Sequence, residues 1–252
     1  VTTEPLTEVT KTGRCLEIAL NRPSKKNALT QQMYGELAAA LDRAAADPDI
    51  LVVLLYGHGD GFTAGNYLGE FATAPDISPD APVTRFLRTI AAFPKVLVAA
   101  VHGPAVGVGT TMLLHCDLIV AATTTRFALP FINLALVPEA ASSMLLPARI
   151  GHPRAAELLL LGEPFTAQAA LEMGLVNRVV DPEAVLATAR EFAAKIAAKA
   201  PSALLAGKRL LKSTASTTIR ERMDEENRAF AVQLKSQELQ AAIAAFFKSR
   251  SA

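Results

Sequence analysis

Lys95–Thr111 reads KVLVAAVHGPAVGVGTT, and the fold turns on how this stretch is read. Lys95–Val101 reads as a strand, apolar from Val96 on without the alternation of a half-exposed strand, which suits a parallel strand buried on both faces. A loop with glycines at 103, 107 and 109 follows, and Thr110–His115 has the pattern of a short helix. The same order occurs upstream, where the apolar run Leu51–Tyr56 (LVVLLY) leads into GHGDGFTAGN. Working outward, Arg14–Leu20 alternates like a strand before the turn NRPSKKN, and Thr30 is placed to cap a helix running to about Asp47. Val83–Phe93 reads as a helix and Leu118–Ala121 as a strand. Strands alternating with helices over short links predict an α/β fold with parallel strands. From Ala187 onward only helical patterns remain. Pro201 opens one helix, and Ile219, Met223, Phe230, Leu234, Ile243 and Phe247 share the face of another. That tail cannot bury its apolar face alone and is expected to pack on the core or on a second copy.

Composition narrows the classes of function. The 252 residues are 51% hydrophobic, with 25 basic and 24 acidic side chains and a net charge of +1. So balanced a charge gives no electrostatic case for nucleic acid or for an anionic membrane surface. Cys15 and Cys116 are too few for a disulfide scaffold, no apolar run is long enough to span a membrane, and the first residues do not read as a signal peptide. The expectation is a soluble cytoplasmic protein without membrane partners. His58, His102, His115 and His152 show no metal-ligand spacing, so no metal is expected.

The two glycine loops carry the first chemical signal. Glycines allow successive backbone N–H groups to converge, and the second loop also opens a helix whose N-terminus favours negative charge. Two such strand ends side by side can each offer an N–H to a developing oxyanion, although either loop alone equally suits an ordinary tight turn. Neither is a dinucleotide fingerprint, because the G-x-G-x-x-G spacing is missing.

These loops, with CDLIVA at 116–121, FTAQAALEMGLVNRVV at 165–180 and PSALLAGKRLL at 201–211, resemble the crotonase superfamily of enoyl-CoA hydratases and isomerases. The similarity runs in order from NRPSKKNAL at 21–29 to FFKSR at 246–250. It implies a spiral core of repeated ββα units over residues 1–190, a C-terminal helical trimerisation region over 191–252, and an acyl-CoA thioester substrate. Coenzyme A then arrives as part of the substrate and no separate cofactor is needed. A homotrimer, paired into hexamers, is implied as well. The oxyanion donors fall by motif on the N–H groups of Ala64 and Val108.

The resemblance also decides what is missing. Hydratases of this family use two glutamates, and their positions here hold Thr111 and Phe131. What remains is Glu139, in NLALVPEAASSMLLP (133–147), a segment similar to the PF…PEGCSS of the peroxisomal-type Δ3,Δ2-enoyl-CoA isomerases. There the glutamate is the catalytic base. On its residues alone, Glu139 after Pro138 equally suits the first turn of a helix, where carboxylates offset the dipole. The first loop agrees with the isomerases at Asn66, while Tyr67 stands in place of their aspartate, and Ala140 and Ala141 replace glycine and cysteine. The reading that follows is a Δ3,Δ2-enoyl-CoA isomerase with Glu139 as proton shuttle. Other crotonase chemistry (a hydratase, or an aryl-CoA dehalogenase, whose loop Tyr67 resembles) and a non-catalytic acyl-CoA binder are the alternatives. Expected substrate contacts are Gly65, Asn66, Tyr67, Leu68, Gly109, Phe131, Lys25, Lys26 and Ala28, with Lys248 reaching coenzyme A from near the C-terminus. Glu70–Pro82 and the surroundings of Phe86 are expected to line the acyl tunnel.

Overall fold

Six strands form the main sheet in the order β1 (Thr7–Thr12), β2 (Cys15–Leu20), β3 (Val52–Gly57), β4 (Val96–Val101), β6 (Leu118–Ala122) and β9 (Arg178–Val180). The β1–β2 pair is antiparallel, and every later pairing in this sheet is parallel. A second sheet joins β5 (Pro104–Val106), β7 (Arg126–Ala128) and β8 (Phe165–Thr166). The structure is a computed structural model and describes residues 5–71, 76–212 and 216–251. Strand pairs followed by a helix recur along the chain: β1 and β2 before α1 (Gln31–Ala46), β4 and β5 before α4 (Val108–Thr111), β6 and β7 before α5 (Ser142–Ile150). Between them lie α2 (Leu68–Phe71) and α3 (Pro82–Ala91), and after them α6 (His152–Leu161) and α7 (Ala167–Glu172). The tail consists of α8 (Val185–Ala197), α9 (Pro201–Lys212), α10 (Ser216–Gln233) and α11 (Gln237–Ser251).

The continuous apolar strands are explained by cover on both faces. Val53, Leu55, Leu97, Ala99 and Val101 face a large core shared with α1 and α3. Val52, Leu54, Val98 and Ala100 face a second, smaller core closed by Val185, Ala189 and Ala193 of α8. Each fully buried aliphatic side chain contributes about 1.5–3 kcal/mol, so a charge at Leu54 would break the α8 face. Glu17 on β2 takes a two-point bond from Arg190 of α8, at 2.9 and 2.8 Å, which secures the same helix. The division expected between residues 190 and 191 therefore lies inside α8, a helix that belongs to the sheet's cover.

Thr30 caps α1 as expected, its hydroxyl accepting from the Met33 N–H at 3.2 Å. β1 has no counterpart in the sequence reading. Five of its six residues are exposed, so the edge strand carries no apolar signal. The tail also differs from the single long helix that the Ile219–Phe247 spacing suggests. The chain breaks after α10, and the Ser236 hydroxyl accepts from Leu239 N–H at 3.1 Å to start α11. Ile219, Met223, Phe230, Leu239 and Ile243 all join the main core, so much of the tail's apolar face is buried within the chain itself.

Candidate active site

The two glycine loops meet edge to edge. Thr63 N–H donates to Pro104 O at 3.0 Å, and Val106 N–H donates to Thr63 O at 3.1 Å. A third loop is tied in by Asn27, which is fully buried and donates to the carbonyls of His58 and Gly61, both at 2.8 Å. That bond set brings Lys25–Ala28 alongside Ala64–Asn66. Close approach explains two glycines. A Cβ on Gly65, whose φ is +86°, would lie 2.7 Å from Val106 O, and one on Gly109 would lie 2.5 Å from Thr63 Cγ2. Gly109 is therefore needed for packing and does not line the site.

Around these loops opens a cavity of about 890 Å³. Its walls include Lys25, Lys26, Ala28, Ala64, Gly65, Asn66, Tyr67, Leu68, Val108, Phe131 and Glu139, all singled out from sequence. Lys248 is exposed and is not among the lining residues. Phe86 is likewise absent. It is fully buried against Tyr34, with ring centroids 5.6 Å apart. Of the expected acyl segment Glu70–Pro82, residues 72–75 lie outside the described residues and none of the others is among the lining residues, whereas Leu68 and Gly69 just before it are. The rest of the wall comes from Pro130–Leu136 and from Phe230, Ala242, Ala245, Phe246 and Phe247 of α10 and α11. Phe247 of the tail thus serves the cavity, whatever else it touches.

The backbone donors differ in part from the motif assignment. Ala64 N–H is already committed, donating to Lys26 O at 2.9 Å. Asn66 is held on either side by bonds of Gly65 O and Tyr67 N–H to Leu29, both at 2.8 Å, while its own N–H has no partner among the described residues. Val108 N–H heads α4, where no preceding turn supplies an acceptor, and it too is unbonded. Among the described residues, Asn66 and Val108 thus each present an unbonded amide beside the cavity. Asn66 Oδ1 accepts from the hydroxyl of Tyr34, which is buried on α1.

Glu139 is 6% exposed, and its Oε1 is buried without a hydrogen-bond partner among the described residues. Burial first, and then the negative charge of Glu226, push its carboxyl up to about 8. It does not lie in a helical first turn. Ala140 (φ 59°) and Ala141 (φ 58°) both take the left-handed conformation, and α5 begins only at Ser142. Two consecutive alanines in that region cost on the order of 1–2 kcal/mol each. The turn is held by His115, whose ring bonds Ala140 O at 2.9 Å and stays neutral because burial drives it down to about 3. It is also held by Glu226, which accepts from Ala141 N–H at 2.6 Å, Ser143 N–H at 3.0 Å and Ser143 Oγ at 2.5 Å. From sequence, His115 was expected to be structural, as it is, and Glu226 was missed. Glu226 could have been found, since it falls at helical spacing in the stripe Ile219, Met223, Phe230, all buried.

Arg22 packs over the Tyr67 ring at 4.3 Å from its centroid, so Tyr67 stands as a shaped wall at the loop. Thr111 is fully buried and absent from the lining, whereas Phe131 is part of it. Among the described lining residues Glu139 is the single carboxylate. The arrangement therefore offers one buried, strongly basic carboxylate and two backbone donors around an apolar cavity.

A sequence profile described as enoyl-CoA hydratase/isomerase matches residues 10–252. The chain is 34% identical to 2,3-dehydroadipyl-CoA hydratase of Escherichia coli, with 96% of each chain covered. It is 36% identical to enoyl-CoA delta isomerase 2 of Rattus norvegicus over 94% of this chain and 62% of that longer protein. Among solved structures, Pseudomonas aeruginosa OdaA superposes with a TM-score of 0.93 at 43% identity, covering 96% of this chain and 99% of the other.

Proposed function

Because the chain belongs to the enoyl-CoA hydratase/isomerase family, with the crotonase fold, we propose that within it this protein is a Δ3,Δ2-enoyl-CoA isomerase. The observation that carries the reading is the lone carboxylate in the cavity, Glu139, buried and held near pH 8. A 3-enoyl thioester bound with its carbonyl oxygen on the amides of Asn66 and Val108 gives up a C2 proton to Glu139. The electron pair spreads over C2–C4 and the thioester oxygen, where the two donors stabilise it. Glu139 then returns the proton to C4, leaving the conjugated 2-enoyl thioester. Apolar walls from Phe131 and Phe230 keep out water that would otherwise add to or protonate the intermediate. Hydration would need a second group to hold and activate water, and the positions suited to it carry Thr111 and Phe131. Lys25 and Lys26, exposed at the cavity's loop, are placed for the phosphates of coenzyme A.

The test is a panel of 3-enoyl- and 2-enoyl-CoA thioesters assayed for isomerisation and hydration. Wild type should isomerise and show negligible hydration, and Glu139→Gln should lose roughly two to four orders of magnitude in kcat with acyl-CoA binding within a few-fold. Efficient hydration by wild type, or a Gln variant at near wild-type rate, would refute the assignment.

The same reading includes assembly as homotrimers, paired into hexamers, in the cytoplasm. Supporting it, Leu160, Leu161, Leu210, Leu211 and Val232 are left exposed, at 67%, 56%, 69%, 86% and 68%. Exposed leucines in this number suit contact with another copy.

A further inference from the structure

A second carboxylate lies beside the first. Glu226 is 6% exposed, on the face of α10 that docks against the body of the protein, in line with the buried Ile219, Met223 and Phe230. A carboxylate in that row is costly unless it is satisfied, and here three donors satisfy it, the N–H of Ala141 and the N–H and hydroxyl of Ser143. The two N–H groups can only donate and the Ser143 hydroxyl donates here, which favours the ionised form against the burial that raises this carboxyl. They sit immediately after Glu139, where α5 begins behind Ala141, a residue with no capping side chain. Glu226 thus caps α5 from another helix and closes the turn that carries Glu139.

We propose that Glu226 is a positioning residue for the reaction: from the docked tail its carboxylate clamps residues 141–143, fixes where the Glu139 carboxylate points, and by its negative charge makes Glu139 a stronger base. This rests on Glu139 being the proton shuttle. The groups facing Glu139 are few. Glu226 approaches from α10, with Arg222 behind it paired to Glu225 at 2.9 Å. Tyr34 approaches from α1, neutral and bonded to Asn66. His115 holds the Ala140 carbonyl from below and is neutral. Lys25 and Lys26 are exposed on their loop. Arg222 favours the charged form of Glu226, and among the described residues the one charge acting on Glu139 itself is that of Glu226. Geometry and charge therefore act together, and both reach Glu139 only when α10 is docked.

Two variants separate the two effects. Glu226→Gln keeps an acceptor and the side-chain size but removes the charge, while Glu226→Ala removes both. The titration of Glu139 is read directly from its carboxyl infrared band, as the difference between wild type and Glu139→Gln, and again with Glu226→Gln as the background. The midpoint should fall by about one pH unit once the neighbouring charge is gone. The acid limb of kcat/KM for 3-enoyl-CoA should move down with it. Glu226→Ala should lower kcat about ten-fold or more with KM within a few-fold, and Gln should recover most of that loss above pH 8. A purely structural glutamate would lower the melting temperature and leave the midpoint in place, which would overturn the proposal. If Ala does not fold, the Gln titration decides alone. Because that band is read without turnover, a shifted midpoint in a protein that isomerises nothing would retain the Glu139–Glu226 coupling and reject the isomerase reading instead.

Discussion

Glu139 exchanges stability for basicity, and the sign of that exchange is testable. Its folded carboxyl titrates near 8 against an ordinary value of 4.5. Below the ordinary value both folded and unfolded chains hold the proton, so nothing is lost. As pH rises from there, the unfolded chain releases its proton while the folded chain retains it, and stability falls until the folded group has titrated as well. Glu139→Gln removes this burden. Urea unfolding should find the variant more stable than wild type by a few kcal/mol above pH 8, with the gap closing toward pH 4.5. A gap that does not change with pH would mean that Glu139 is not buried in solution as it is here. The resemblance singled out the residue, since on its residues alone it equally suited the first turn of a helix, and its setting was not legible. Burial burdens it first, and then a second carboxylate 85 positions beyond the turn at Ala141, brought there by the tail.

Among the elements, α4 carries the clearest division between local and distant information. The family motif pointed to Val108 in GVG, and its N–H is unbonded among the described residues, as the first N–H groups of a helix start are wherever it occurs. The other donor could not be found that way. Whether Ala64 or Asn66 offers its N–H depends on which one a neighbouring loop consumes, and Lys26 O takes that of Ala64. The split of the tail into α10 and α11 was similarly hidden, since the apolar stripe runs on across the break at Ser236. β2, β3, β4 and β6 were readable to within about a residue, the last three because burial on two faces leaves an uninterrupted apolar run, whereas β1 and β9 were not read as strands. The donor assignment can be checked at Val108. Proline is tolerated at a first helical position, so Val108→Pro should fold while losing the N–H. Its kcat should drop by a factor on the order of a hundred or more, and Val108→Gly should keep most activity. A proline variant with wild-type turnover and an unmoved loop would remove Val108 from the reaction.

For the whole molecule, the question is how much of the tail's apolar surface serves its own chain. Ile219, Met223, Phe230, Leu239 and Ile243 are accounted for within the core, and Phe246 and Phe247 by the cavity. Leu210 and Leu211 on α9 remain outside, where Lys208 is the one buried residue among the described side chains of that helix. Lys208 anchors α9 through Asp117 Oδ2 at 2.8 Å and the Lys95 carbonyl, which leaves the leucines facing outward. Sedimentation at micromolar concentration should show trimers or hexamers for wild type and a smaller species for Leu211→Glu. A stable monomer of wild type would assign these leucines another purpose.

A ribosome delivers this chain from the N-terminal end, and the glycine loops, the sheet and Glu139 all emerge well before the helix that clamps them. The turn at Ala140 and Ala141, left-handed at both residues, then exists for a time with no Glu226 to hold it. A nascent or tail-shortened chain would carry its basic residue in a relaxed and watered loop, unable to draw a proton from carbon. On the proposed reading, the docking of α10 thus sets the moment at which a folded polypeptide becomes a reactive one.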